Sequence, residues 1–183
     1  MFELSDDHRK TLLGIARQSI AAVLDGRSPE WKAADFDDTL RQPAGAFVTL
    51  RTHDGDLRGC IGSIRAVDPL YKAVASSAVS AAFRDPRFSP VQVGELERLE
   101  LEISVMGPIE VVMNVDDIVV GRDGLIISLA GYAGLLLPQV ASEYEWDRDT
   151  FLDQTCIKAG LRRGAWRSEG CRIEKFSAVV FGE

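Results

Sequence analysis

The chain of 183 residues has little that would mark a specialised structural class. Cysteine occurs three times and histidine twice. Cys60, Cys156 and Cys171 are odd in number and have no CxxC spacing, so no disulfide framework is expected. Five thiol and imidazole groups this scattered do not make a structural zinc site, which needs four ligands in paired clusters. No metal and no cofactor is expected. Long apolar runs are missing too: the longest are a few residues, as in Leu135-Leu136-Leu137. A membrane span needs about 18 or more apolar residues in a row, so no membrane association is expected. The opening Met1-Phe2-Glu3-Leu4-Ser5-Asp6-Asp7 is acidic, without the basic segment and apolar core of a secretory signal. Cytosol, with reduced thiols, is the expected location. Net positive charge is also absent. At −7 the chain is not an expected partner of nucleic acid.

What remains is an ordinary globular composition. Hydrophobic residues at 46% and charged residues at 27% exclude a disordered chain. The charge is unevenly spread. Residues 158–175 carry Lys158, Arg162, Arg163, Arg167, Arg172 and Lys175 against Glu169 and Glu174, which leaves −11 for the rest. Trp166 lies inside this stretch. A solvated face is the first reading and an RNA-contacting patch the second.

Periodicity places the elements. Leu12, Leu13, Ala16, Ile20, Val23 and Leu24 recur at helical spacing over residues 5–25, with Ser5, Asp6 or Asp7 as cap and Gly26 as stop. Residues 27–44, with Pro29 and Pro43, read as a long connection holding a short helical turn. Gly45–Thr52 and Leu57–Arg65 read as strands joined through His53-Asp54-Gly55-Asp56, where Asp-Gly is the hairpin signal. Asp68-Pro69 opens a second helix, Asp as N-cap and Pro at the first helical position, running to Phe83. Leu99, Leu101, Ile103 and Val105 alternate with Glu100, Glu102 and Ser104 in a half-buried strand ending at Met106. Val111–Val112, Leu125–Leu129 and Gly134–Leu137 are further strand candidates, with a turn marked by Gly131 and Gly134. Helices are expected near Gln139–Tyr144 and Asp149–Ala159, and a final strand over Ile173–Phe181. Hairpin signals outnumber crossovers. The expected class is α+β, with a mainly antiparallel sheet packed with helices.

One segment stands out chemically: Leu57-Arg58-Gly59-Cys60-Ile61-Gly62-Ser63-Ile64. On a strand, Arg58, Cys60 and Gly62 share one face, while Leu57, Gly59, Ile61 and Ser63 share the other. Glycine costs roughly 0.5–1 kcal/mol in a strand relative to alanine. Two of them around a cysteine imply close approach of a ligand or of another backbone. An arginine beside a thiol lowers its pKa and raises its nucleophilicity. Cys60 and Arg58 are therefore the candidate catalytic residues, with Gly59, Ile61 and Gly62 as binding candidates. The plain alternative is a buried cysteine acting as a small hydrophobe. His53, at the hairpin turn, reads as exposed rather than as a partner of Cys60. Asp85-Pro86-Arg87-Phe88-Ser89-Pro90 sets a charge pair and an aromatic between prolines. Arg87 is a binding candidate there, and Phe88 reads as a core anchor. Gln139, at the start of a helix whose N–H groups are free, is a further binding candidate.

Taken together these blocks resemble one family, the domain named after the AMME-syndrome candidate gene and called AmmeMemoRadiSam system protein A in prokaryotes. The resemblance rests on GAFVTL at 45–50, LRGCIGSI at 57–64, DPRFSPV at 85–91, LEISVMGP at 101–108, GLLLPQVASE at 134–143 and the tryptophan-to-leucine pattern of 146–161. It implies an α+β domain over residues 1–183, with a larger and a smaller lobe and a cleft between them. It also implies genomic company with Memo-like proteins and radical S-adenosylmethionine enzymes, which become the expected partners. No reaction comes with it. The family often has a histidine where this chain has Asp123, so a His–Cys pair from that position is not available here. The leading expectation is an accessory enzyme or substrate-handling protein using the Cys60 thiol. A non-catalytic interaction adaptor and an RNA-binding module are the alternatives.

Overall fold

The computed structural model describes residues 3–183. It is α+β, with a mainly antiparallel six-stranded sheet. Helix α1 spans Asp6–Leu24. Ser5 caps it reciprocally: its Oγ accepts from the His8 N–H, and His8 Nδ1 accepts from the Ser5 N–H, both at 3.2 Å. Leu12, Ile15, Ala16, Ser19 and Ile20 form its buried stripe. The connection beyond Gly26 contains a 3-10 turn at Ala33–Asp35 and a one-turn helix, α2, at Asp38–Arg41.

Strands β1 (Ala46–Thr52) and β2 (Leu57–Ser63) form the expected hairpin. Gly55 takes the left-handed turn position at φ +87°, and a bulge falls between Leu50 and Arg51. Helix α3 covers Leu70–Phe83. Pro69 is its N-cap rather than its first helical residue, and Asp68 supplies no side-chain cap. The Leu70 N–H donates instead to the carbonyl of Gln42 at 2.9 Å.

Strand β3 runs from Leu99 to Val111 as one continuous element. The sequence pattern stops at Met106 because Gly107-Pro108 interrupts the alternation. Here the glycine permits a close approach: a Cβ at Gly107 would lie 2.2 Å from the Ser177 hydroxyl. Strands β4 (Asp123–Leu129) and β5 (Tyr132–Leu136) pair through a turn at Ala130-Gly131, both at positive φ. Gly134 is not a turn residue. It lies within β5, where a Cβ would fall 2.4 Å from the Ala159 nitrogen. Helices α4 (Pro138–Glu143) and α5 (Arg148–Lys158) and strand β6 (Arg172–Gly182) complete the chain. The strand order is β2-β1-β3-β6-β4-β5.

The chain divides into two compact units, residues 3–106 with 179–183, and Gly107–Ala178. The first has its own core. Val48 and Leu50 of β1, Leu101, Ile103 and Val105 of β3, and Val74 and Ala78 of α3 are fully or almost fully buried in it, as is the stripe of α1. The second is built on Leu125, Ile127, Phe151, Leu152, Cys156 and Ile173. No helix is long and apolar enough to cross a membrane among the described residues.

Candidate functional site

β2 is an edge strand, so one side of its backbone has no strand partner. The register sets Thr49 of β1 opposite Cys60. The Cys60 N–H and C=O point away from β1, and such pairs bring opposing side chains close. The Thr49 hydroxyl accordingly donates to the Cys60 sulfur at 3.2 Å.

The outward backbone groups of Cys60 are met by the Asp85-Pro86-Arg87-Phe88 turn. The Cys60 N–H donates to Asp85 Oδ2 at 2.9 Å, and Arg87 Nη2 reaches the Cys60 carbonyl at 3.3 Å. Aspartate before proline is the ordinary opening of such a turn, closed here by the Phe88 N–H on the Asp85 carbonyl. The Asp85 carboxylate also accepts from the Arg87 N–H at 3.1 Å, from Arg87 Nε at 2.9 Å and from Arg87 Nη2 at 2.7 Å. A buried carboxylate and a bidentate guanidinium thus stand where a neighbouring strand would stand. Asp85 is 4% exposed. The Arg87 side-chain hydrogen bonds hold its carboxyl far below the ordinary range, with the Cys60 and Arg87 N–H groups adding to them against the cost of burial. Arg87 is held protonated above its usual value, mainly by the Asp85 hydrogen bonds. Charge on the Cys60 sulfur acts in the same direction.

Arg58 sits on the same strand, but its guanidinium is directed elsewhere. Nε donates to Glu95 Oε1 at 2.6 Å, and Nη2 donates to Glu95 Oε2 at 3.2 Å and to the Ser89 carbonyl at 2.9 Å. Its Nη1 is buried without a hydrogen-bond partner. Burial opposes ionisation of Glu95, yet the Arg58 hydrogen bonds and the Gln92 N–H keep its carboxyl below the ordinary value. Phe88 is half-buried beneath two cations, with the guanidinium carbons of Arg58 and Arg87 6.0 and 5.4 Å from its ring centre. It is a cation-facing surface aromatic rather than a core anchor.

Both glycines around Cys60 serve packing. A Cβ at Gly59 would fall 2.3 Å from the Ala81 carbonyl oxygen, so its absence lets β2 lie directly on α3. A Cβ at Gly62 would fall 2.3 Å from the Ala46 carbonyl oxygen and 2.5 Å from the Phe47 ring. The bare position beside Cys60 is therefore filled by Phe47. Of the two occupants the sequence leaves open, the one found is another part of the chain. Ile61 packs against the core.

The structure thus gathers Arg58, Gly59, Cys60, Ile61, Gly62 and Arg87 in one unit. Gln139 belongs to the other, on α4, and its Oε1 is buried without a partner. His53 is exposed and paired with Glu100 at 3.1 Å. Sequence reasoning passed over Asp85 and Thr49. Counting back from the Asp54-Gly55 turn sets Thr49 opposite Cys60, so that signal was available. Nothing in the sequence marks Asp85 as buried. Asp123, at the position where a histidine is common in the resembling family, is buried. Its carboxylate takes Arg122 Nε and Nη2, both at 2.7 Å, and the Val119 N–H at 2.9 Å. Burial works against its charge, and the Arg122 and Val119 hydrogen bonds still keep its pKa low. It is a satisfied structural carboxylate.

The AMMECR1 family model matches residues 13–181. The chain belongs to the AMMECR1 family. Among curated relatives it is similar to protein PF1979 of Pyrococcus furiosus, 40% identical over all of this chain and 91% of that one. It is also similar to a protein of Methanothermobacter thermautotrophicus, 44% identical over 98% and 96% of the two chains. Among solved structures it is similar to the uncharacterized protein PH0010 of Pyrococcus horikoshii. The TM-score is 0.90 and the identity 38%, over 98% of this chain and 93% of that chain. Nothing in these matches assigns an AMMECR1 reaction to the residues around Cys60.

Proposed function

We propose that this AMMECR1 protein is a cytosolic substrate-handling protein of a modification system, working with Memo-like and radical S-adenosylmethionine partners through the Cys60 thiol. The concrete step is attack of the Cys60 thiolate on an electrophilic carbon of the substrate. A carbon–sulfur bond forms, the thiol proton passes to solvent, and the electrophile's leaving group departs with its bonding pair. Arg87, rather than Arg58, is the cation that serves this step. The observation that carries the reading is that Cys60 is only partly buried, on a backbone fixed from outside by the Asp85–Arg87 pair. That pair leaves the Arg87 side chain about half exposed, so it can also meet an anionic substrate group.

The test is brief alkylation of the native protein, read by peptide mass spectrometry. Cys60 is expected to label first. Burial raises the pKa of both other thiols, and Cys156 is wholly enclosed. Iodoacetate, an anion, is expected to lose rate relative to neutral iodoacetamide when Arg87 is changed to Gln. Labelling of Cys156 or Cys171 ahead of Cys60 overturns the reading.

A second reading has one observation of its own. Gly59 and Gly62 are both explained by packing, so the RGCIG segment also suits a rigid edge in a non-catalytic adaptor. Unchanged partner binding and unchanged activity of the system with a Cys60→Ser variant favour that reading.

A further inference from the structure

A concave site lies in the same unit as Cys60 and uses none of the residues just described. It is a groove of about 590 Å³ between the outer face of α3 and the segment following α1. Its walls are apolar: Pro29 and Trp31 on one side, Ala75 and Val79 on the other. A volume of this order is that of small-molecule pockets, roughly 300–1,000 Å³. The tryptophan wall is fixed rather than draped. Trp31 Nε1 donates to the buried Ser19 hydroxyl at 3.1 Å, Phe36 lies 6.2 Å from the indole, and Phe36 stacks on the buried Tyr71 at 4.4 Å. A wall held this way loses little freedom when a ligand arrives.

The rim adds a net positive charge. Lys32, Lys72 and Arg84 line it against the single acid Glu30, in a chain whose net charge is −7. Some exposed arginines of this unit find carboxylates, as Arg27 does with Asp25 and Arg41 with Asp38. Among the described residues, Lys32, Lys72 and Arg84 have no salt-bridge partner, and Lys72 Nζ stands 6.0 Å over the Tyr71 ring. An apolar slot with unpaired cations at its mouth is complementary to one kind of ligand. An acidic peptide helix would need a groove continuing over several turns to seat its anchors. The adjoining depression shares Pro29, Glu30 and Trp31 with the groove but is of mixed character, with Gln18, Arg27 and Ser28 set among Ala21 and Ala22.

We infer that this groove binds a small amphipathic anion, its apolar body against Trp31 and Val79 and its carboxylate, sulfonate or phosphate at the Lys32–Lys72–Arg84 rim. The site is separate from Cys60, so its failure leaves the thiol reading standing. Anilinonaphthalene sulfonate is the probe, followed by energy transfer from tryptophan. Uncharged N-phenylnaphthylamine, with the same rings and no sulfonate, is its control. The sulfonate is expected to bind saturably. Trp31→Phe should lower the energy transfer, because Trp31 is the tryptophan that lines the groove. A Lys32→Glu, Lys72→Glu double change at exposed positions should weaken the sulfonate about five- to tenfold and leave the neutral amine within about twofold. Failure of both probes to bind, equal sulfonate affinity in the double variant, or unchanged energy transfer in Trp31→Phe each overturns the assignment. Salt-sensitive binding of an oligoglutamate peptide without sulfonate binding overturns it in favour of an acidic protein partner.

Discussion

Asp85→Asn is the sharpest perturbation of the Cys60 edge, because it keeps shape and removes charge. The native carboxylate takes four hydrogen bonds, from the Cys60 N–H, the Arg87 N–H, and Arg87 Nε and Nη2. Carboxamide oxygen can accept part of this set. The carboxamide nitrogen is itself a donor and must face one of the remaining donors. A buried backbone N–H left without an acceptor costs about 1–3 kcal/mol. Breaking a fully buried ion pair costs about 3–5 kcal/mol. Arg87 is 53% exposed, so water takes over part of its solvation and the electrostatic share is smaller. The expected loss is about 2–4 kcal/mol at pH 7. Total stabilities run to about 5–15 kcal/mol, so the variant still folds.

The pH dependence carries the stronger test. Asp85 is depressed in the folded protein relative to about 3.9 in the unfolded chain. Its stabilisation is therefore fully present above the unfolded value and is lost as pH falls toward the folded one. Urea unfolding of wild type and variant should show a constant gap at pH 6–7 that narrows from about pH 5 downward. Other depressed carboxylates, such as Asp37 and Asp147, are common to both proteins and cancel in the difference. A gap below about 0.5 kcal/mol, or one that does not narrow between about pH 5 and pH 3, refutes the assignment of Asp85 as the charged clasp of this strand.

Two glycines should respond in opposite directions to the same substitution. Gly14 sits inside α1, where a new Cβ meets only Gln18 Nε2 at 3.9 Å, so Gly14→Ala should raise stability by about 0.5–1 kcal/mol in thermal unfolding. Gly59→Ala drives a Cβ to 2.3 Å from the Ala81 carbonyl oxygen and should cost about 1–3 kcal/mol or more; a neutral result would mean that β2 and α3 separate easily. The basic stretch should not bind RNA at physiological salt, as tested by filter binding with tRNA at two salt concentrations. Arg167 pairs with Asp149 and covers the Trp166 ring at 3.6 Å, and Trp166 Nε1 is tied to Asp153, so the indole is no open stacking platform.

Much of the fold was legible because the chain is locally consistent. The Ser5 cap, the Asp54-Gly55 turn and the alternation of Leu99 to Val105 each name one local state, and tertiary packing agrees with each. The misreadings share a cause. Gly107-Pro108 and Gly134 carry the letters of turns but occupy strands, because each lies against another segment that leaves no room for a side chain. A glycine that permits a backbone turn and a glycine that permits close packing are the same letter. Asp68 failed as a cap for a related reason: the Gln42 carbonyl, distant in sequence, already receives the Leu70 N–H.

The site shows where local reading stops. Residues on one strand face are visible from parity alone, so Arg58 and Cys60 could be set side by side. Which charge answers which is decided by elements that parity does not see. Glu95 draws the Arg58 guanidinium away along the edge. The turn after α3 brings Arg87 to the Cys60 backbone from 27 residues further on. An edge strand needs an answer for its free N–H and C=O groups, and here a side-chain ion pair supplies one. That requirement explains more of the neighbourhood than a catalytic reading does alone. It accounts for a buried aspartate, for its bidentate arginine, and for a partly buried cysteine whose backbone is locked. A thiol fixed in this way is rigid whether or not it reacts. The relative alkylation rates of Cys60 therefore separate chemistry from scaffolding better than any loss of stability on mutating its neighbours.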